Sequence, residues 1–204
     1  MILQARWLRL CLELGLDGQL QWNIIYQSYC TPGRAYHNLN HIGDCLSELD
    51  RHAALAADRG ALEFAIWYHD VVYDPQAADN EERSAEMANS FLAAAPIAQA
   101  VSLMILATKH GSPPEAGDPQ LMCDIDLSIL GRSRETYASY ARAIRAEYSW
   151  VPNKDYSAGR TQMLRRFLAR ETIFATLPFR GLYEEPARAN ISWELAALAA
   201  QGSE

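Results

Sequence analysis

The chain has 204 residues, of which 50% are hydrophobic and 21% are charged, and its formal net charge is −7. This length suits one domain with a substantial core, and the apolar content excludes an intrinsically disordered protein. The acidic balance argues against binding of a nucleic-acid polymer, because such binding depends on lysine and arginine side chains that neutralise phosphates. A small nucleotide held through a metal ion remains compatible with this charge, since the ion supplies positive charge locally.

Apolar residues recur at helical spacing along most of the chain, and we find no convincing alternating strand pair. We therefore predict an all-α, single-domain helical bundle. The predicted helices cover residues 1–16, 19–30, 34–58, 61–73, 79–94, 97–110, 118–130, 133–149, 156–176 and 186–201.

Location and assembly follow from the same patterns. Charged residues interrupt the apolar N-terminal segment, and no apolar run reaches membrane-spanning length, so we expect a cytoplasmic protein without membrane contact. The four cysteines form no C-x-x-C motif and lie in apolar runs, which predicts reduced thiols in the core. The amphipathic terminal helices could pack internally or form a homodimer.

The segment YHNLNHI places His37 and His41 four residues apart. On a helix, both imidazoles would then project from one face, which allows shared metal ligation or one ligand beside one pocket residue. A pair of surface or capping histidines is the plainer interpretation, because this spacing alone is weak evidence for a site.

Two further segments place ionisable residues inside apolar runs. His69 and Asp70 end the run FAIWYHDVV, and Asp124 and Asp126 lie within LMCDIDLSILG. Burial of such groups is costly unless they are paired, and a metal ion or a histidine–aspartate hydrogen bond could pair the doublet. Two aspartates at this spacing diverge by roughly 200° on a helix, so we expect only one of them at a shared site.

The order of His41, the doublet His69-Asp70 and a distant aspartate resembles the HD superfamily of metal-dependent phosphohydrolases, in its small single-domain members. The 28 residues between His41 and His69 suit that pattern. The segments YHNLNHI, WYHDVVYD, DNEERSAE and DIDLSILG carry the resemblance, which spans most of the chain. It implies one HD-type domain over residues 1–204, with a metal-site core at about 34–131 and additional C-terminal helices at 133–201.

The resemblance also implies roles for individual residues. The metal ligands would be His41, His69, Asp70 and Asp126, the last preferred to Asp124 because many family members use the second aspartate of an Asp-x-Asp segment. HDVVYD is similar to the HDxxED segment of alarmone hydrolases, which makes Asp74, together with Asp70, a candidate catalytic residue. Tyr73 stands where that motif has glutamate, and this departure argues against alarmone hydrolysis itself.

The expected chemistry is hydrolysis of a small phosphate ester or nucleotide by metal-activated water. A site of imidazoles and carboxylates suits Mn, Fe, Co, Ni, Zn or Mg without choosing among them. The remaining candidates for contacts with substrate or with the ligands are His37, Lys109, His110, Glu81 and Asp124.

Plainer interpretations and other functions remain open at this stage. Lys109 and His110 could simply stabilise a helix C-terminus, and Glu81 a helix N-terminus. A di-iron oxygenase that uses His37 and His110 as extra ligands is one alternative function. A nucleotide-binding module with little turnover is another.

Overall fold

The computed structural model describes residues 2–93 and 95–201, and all its regular elements are helical. The predicted all-α fold is confirmed. The α-helices within the described residues are α1 (Ile2–Glu13), α2 (Gln19–Tyr29), α3 (Leu39–Arg51), α4 (Arg59–Tyr68), α5 (Asn80–Leu92), α6 (Ala98–Ala107), α7 (Asp118–Leu127), α8 (Arg134–Glu147), α9 (Asn153–Leu168) and α10 (Leu177–Gln201), with short 3-10 segments at Ala53–Leu55 and Ser128–Gly131.

Contacts along the backbone divide the chain into two compact units, Met1–Ile125 and Asp126–Glu204. In the first unit, α4 is the central helix, because every residue from Ala61 to Tyr68 is buried and the helix contacts α3, α5 and α6. This burial explains why α4 is apolar from Ala61 to Tyr68 except at Glu63, whose carboxylate is paired with Arg6. His69 and Asp70 directly follow α4, so their position is set by the end of this central helix.

The second unit is held together by a buried charge cluster. Glu194 on α10 accepts two hydrogen bonds from Arg160 on α9, at 2.8 and 3.0 Å, and a third from the hydroxyl of Tyr137 on α8. Such a cluster is tolerated in the interior because each charged group has a hydrogen-bonded partner. It joins α8, α9 and α10.

The helices around the predicted ligands are shorter than the sequence indicated. The prediction of helix over 34–58 is wrong at its start, since α3 begins at Leu39, where the Asn38 side chain accepts from the backbone N–H of Asn40 and caps the helix. The helix predicted over 61–73 ends at Tyr68. The apolar pattern continues into the following turn, and for this reason the predicted end of the helix is too late.

The C-terminal helix boundaries also differ from the prediction. Helix α9 ends at Leu168 instead of residue 176, and α10 begins at Leu177 instead of residue 186. Pro186, the predicted first residue, lies inside α10. The first turn of the helix instead contains Pro178, where a missing N–H costs little. The predicted helix ends at Met1 and Ala94 lie outside the described residues.

The structure bears on the expectations for membrane contact and for the cysteines. None of the helices in residues 2–93 and 95–201 combines the length and apolar composition needed to cross a membrane. Cys11, Cys45 and Cys123 are buried as predicted. Cys30 is exposed, and its assignment to the core was wrong because it terminates α2 just before the surface turn at Thr31-Pro32-Gly33.

Candidate metal centre

Two buried imidazoles face each other in the first unit. His41, in the first turn of α3, is 3% exposed, and His69, directly after α4, is 2% exposed. Their Nε2 atoms are 3.1 Å apart. Two unprotonated ring nitrogens would repel at this distance, so the pair needs either a shared proton or a shared cation.

The backbone of α4 sets the orientation of the His69 ring. Its Nδ1 atom lies 2.9 Å from the carbonyl oxygen of Ile66. A hydrogen bond there requires the proton on Nδ1, which directs the lone pair of a neutral His69 to Nε2. Metal-binding histidines commonly have such a backbone acceptor behind them, because it fixes both the tautomer and the ring plane.

The Asp70 carboxylate completes a compact triangle of potential ligand atoms. Its Oδ2 lies 3.1 Å from His69 Nε2 and 3.6 Å from His41 Nε2, and its side chain is 19% exposed. Burial would by itself raise the pKa of Asp70, but the nearby imidazoles of His69, His37 and His41 hold this pKa well below its usual range. The carboxylate is therefore ionised at neutral pH.

Asp126 is carried to the same place by helix α7. The division between the two units falls inside this helix, just before Asp126, so the residue belongs to the last turn of a helix that begins in the first unit. The first unit holds α7 at two points: Asp118 accepts from the backbone N–H groups of Ala57 and Asp58, both at 2.8 Å, and Cys123 donates to the Ala107 carbonyl.

His41, His69 and Asp126 each offer one ligand atom, and these atoms all lie within 4.8 Å of one another. Asp124, the alternative in sequence, is 1% exposed and is not in this group. Asp70 is not in the group either, and it approaches the two imidazoles separately, at 3.1 and 3.6 Å. The difference between the two aspartates of α7 follows from helix geometry, because residues two apart point in widely different directions. The preferred aspartate is thus the one that approaches the imidazoles.

The spacing of these atoms fits a first-row divalent ion. Nitrogen and oxygen ligands lie at about 2.1 Å from such ions, which places neighbouring ligands about 3 Å apart at right angles and about 3.4 Å apart at tetrahedral angles. The triangle of His41, His69 and Asp70 has edges of 3.1, 3.1 and 3.6 Å. These distances are close to those between neighbouring ligands of such an ion, so the donor set fits a metal ion.

His37 is near the cluster but not on the helical face that the sequence predicted. It precedes the Asn38 cap and therefore lies outside α3. Its ring stacks on Tyr73, with centroids 4.2 Å apart, and its centroid is 6.1 Å from that of His41. The prediction that the two imidazoles share one helical face is wrong, because the helix begins between the two residues. The turn before the helix nevertheless keeps the two rings close to each other.

Asp74, the predicted proton acceptor, is exposed and forms part of the turn after the doublet. Its Oδ1 accepts the backbone N–H of Gln76 at 2.9 Å. Asn80 fixes the backbone of Asp74 by accepting from its N–H at 3.0 Å and donating to its carbonyl at 2.8 Å. The direction of this carboxylate is therefore set by local hydrogen bonds.

The other candidates lie on α5 and at the end of α6. Glu81 is half-buried in the first turn of α5, where a carboxylate also favours the helix N-terminus. Lys109 donates to Glu82 of α5 and to the carbonyl of Ala78, so a salt bridge already neutralises its charge. His110 follows α6 with a φ of 53°, an uncommon conformation for a residue other than glycine.

Sequence reasoning missed the side chains that surround the end of α4. The Tyr29 hydroxyl donates to the Trp67 carbonyl at 3.0 Å, and Arg34 donates to the carbonyls of Asp70 and Val71. Burial raises the pKa of Tyr29, and the charge of nearby Asp70 adds to this increase. No short motif marks these residues. The only local signal for Arg34 is that it directly follows the turn residues Thr-Pro-Gly and so begins a new segment.

The sequence matches no protein-family model and no curated protein, and no solved structure is significantly similar to this fold.

Proposed function

We propose that this chain is a metal-dependent phosphohydrolase that acts on a small phosphate ester or nucleotide. One observation carries the proposal: two buried imidazole nitrogens and an ionised carboxylate converge within 3.6 Å, with Asp126 as a further ligand from α7. The order of these residues in the chain is the order that the resemblance to HD phosphohydrolases implies.

The electrostatics of the cluster support a cation-assisted reaction of an anion. The two imidazoles contribute no charge when neutral, whereas Asp70 and Asp126 contribute two negative charges, and the whole chain has a net charge of −7. A phosphate group would be repelled by such a site unless a cation neutralised the carboxylates. A divalent ion bound there would lower the pKa of a water molecule and polarise a phosphoryl oxygen.

The protein's own groups have separate tasks in this proposal. His69 keeps its Nε2 lone pair in position through the Ile66 carbonyl, and Asp70 stays ionised because imidazoles surround it. Asp74, held by Gln76 and Asn80, is the proposed proton acceptor for the attacking water. Lys109 would have to leave Glu82, or be shared with it, to contact a phosphate.

The test combines metal content with turnover in two matched variants. Wild type, Asp70→Asn and Asp44→Asn are purified without chelator, and each is assayed for bound metal and for phosphate release from a panel of nucleotides and sugar phosphates with added Mn²⁺ or Co²⁺. Asp44 is an exposed residue on α3, the helix of His41, so its variant controls for loss of one negative charge.

We expect about one metal ion per wild-type and Asp44→Asn chain, with phosphate release from at least one substrate, and loss of both properties in Asp70→Asn. Retained turnover in Asp70→Asn would contradict the proposed site. Two iron ions per chain with oxygen consumption would instead favour an oxygenase, and nucleotide binding without product would favour a binding module.

A further inference from the structure

Arg34 makes an unusual set of contacts beside the candidate metal centre. Its guanidinium donates to three backbone carbonyls, those of His37 at 3.2 Å, Asp70 at 2.6 Å and Val71 at 3.0 Å. Two of these acceptors lie 36 and 37 residues further along the chain. Arg34 therefore joins the segment that leads into α3 to the turn that follows α4.

Two tyrosine rings hold the guanidinium in place. Its central carbon lies 5.1 Å from the ring centroid of Tyr29 and 5.4 Å from that of Tyr73. Cation–π contacts of this kind favour arginine because its planar head stacks on aromatic faces. Tyr73 also stacks on His37, so the ring that supports Arg34 also contacts an imidazole near the metal ligands.

These contacts determine where the ligands can lie. The Asp70 carbonyl belongs to the same residue as the carboxylate that faces both imidazoles, so fixing the Asp70–Val71 peptide restricts the direction of that carboxylate. The His37 carbonyl lies four residues before His41 and just outside the Asn38 cap. One guanidinium thus sets the spacing between the backbone before His41 and the backbone after His69.

We propose that Arg34 is a positioning residue for the metal centre: by bridging the carbonyls of His37, Asp70 and Val71 it holds the Asp70 carboxylate at ligand distance from His41 and His69. This inference rests on the proposed function to the extent that the site binds a metal ion. Arg34 touches neither metal nor substrate in this proposal, and it acts through backbone geometry.

The experiment titrates Co²⁺ into metal-free wild type, Arg34→Lys and Arg34→Gln, and records the visible absorption of bound Co²⁺ with its dissociation constant. Lysine keeps the positive charge but has no planar fork that can reach three carbonyls at once. Arg188→Lys is the matched control, because Arg188 also donates to three carbonyls, those of Leu168, Arg170 and Glu171, in the second unit.

We expect Arg34→Lys to weaken Co²⁺ binding by about 10- to 100-fold, the usual effect of losing a group that orients metal ligands. The absorption spectrum of bound Co²⁺ should also change shape, since spectra report ligand geometry, and a general loss of stability would not produce that change. Arg188→Lys should keep both the affinity and the spectrum of wild type.

Several outcomes would overturn the inference. Wild-type affinity and spectrum in Arg34→Lys would show that the bridge does not position the ligands, while leaving the proposed function intact. An equal loss in Arg188→Lys would show that the effect is only destabilisation. Circular dichroism checks that each variant is folded, and Arg34→Gln serves as the second variant if Arg34→Lys is not. No Co²⁺ binding by wild type would overturn this inference together with the proposed function.

Discussion

Arg6 shows how one side chain can join three helices of the first unit. Its guanidinium donates to Glu63 of α4 at 2.7 and 2.8 Å and to Asp50 of α3 at 2.7 and 3.0 Å. The two acceptors differ in environment, because the Glu63 side chain is 7% exposed and that of Asp50 is 47% exposed. The Glu63 carboxylate therefore needs Arg6 to compensate its buried charge, whereas water can solvate the Asp50 carboxylate.

We predict that Arg6→Met lowers the free energy of unfolding by about 3 kcal/mol, since it leaves a buried carboxylate without its cation. Methionine preserves much of the apolar stem, so the loss reports the charge pair. The control is Arg59→Met, which removes an exposed partner of Asp50 and should cost less than about 1 kcal/mol. Urea titrations followed by circular dichroism measure both values, and equal losses would contradict the distinction drawn between the carboxylates.

At the level of helices, Gly131 allows the 3-10 segment Ser128–Gly131 to pack closely against α10. A Cβ atom at Gly131 would lie 2.5 Å from the Cβ of Tyr183 and 2.8 Å from its Cα. Asn190 holds the same two elements together by donating to the carbonyls of Leu130 and Arg132, both at 2.8 Å. Because a backbone atom of α10 is among those that a new Cβ would overlap, the overlap can be removed only if α10 itself moves.

Gly131→Ala should therefore destabilise the protein by about 1–3 kcal/mol, the usual cost of overpacking. Gly159 is exposed in the interior of α9, and a Cβ atom there would meet no atom within 4 Å apart from its own stretch of helix. Gly159→Ala should therefore stabilise the protein by up to about 1 kcal/mol through helix propensity. Thermal unfolding monitored at the helix signal distinguishes the two. A rise in melting temperature for Gly131→Ala would show that α10 moves at no cost.

Helices could be predicted from sequence where one face is buried and the other is exposed. Helix ends could not be predicted where a side chain, instead of a backbone N–H group, donates to the last carbonyls. The apolar period located α2 and α5 within about two residues of their ends. The end of α4 was placed too late because Val71-Val72-Tyr73 continues the apolar pattern. The carbonyls of Asp70 and Val71 accept from Arg34 instead of from later helical N–H groups, and no local pattern encodes a donor 36 residues away.

The same reasoning explains which parts of the candidate site could be inferred. A resemblance in sequence implied His41, His69, Asp70 and Asp126, and the cost of burying ionisable groups in apolar runs separately singled out the doublet and the two aspartates. The structure places the Asp70 carboxylate within 3.6 Å of both imidazoles, and it places an Asp126 oxygen within 4.8 Å of them. Residues that act through backbone carbonyls, such as Arg34, have no comparable signature, because an arginine in a turn is usually a surface residue. Their detection requires three-dimensional contacts.

For the whole molecule, the candidate ligands come from α3, the end of α4 and the last turn of α7, so a bound ion would link segments from residue 41 to residue 126. A ligand that binds only the folded state stabilises it by mass action, by about 2.7 kcal/mol at one hundred times its dissociation constant. Most of this stabilisation should appear in the elements that carry the ligands, because local opening of those elements releases the ion.

We therefore predict that saturating Mn²⁺ or Co²⁺ slows amide hydrogen exchange in α3, α4 and α7, while α9 and α10 exchange at nearly their metal-free rates. Hydrogen exchange read by mass spectrometry on wild type and Asp70→Asn measures this, and the variant should show no protection at the same metal concentration. Slower exchange in α9 and α10 alone would place the ion elsewhere, for example on the acidic surface. Protection that persists in Asp70→Asn would remove this carboxylate from the ligand set, since an ion that keeps its affinity without Asp70 does not depend on it.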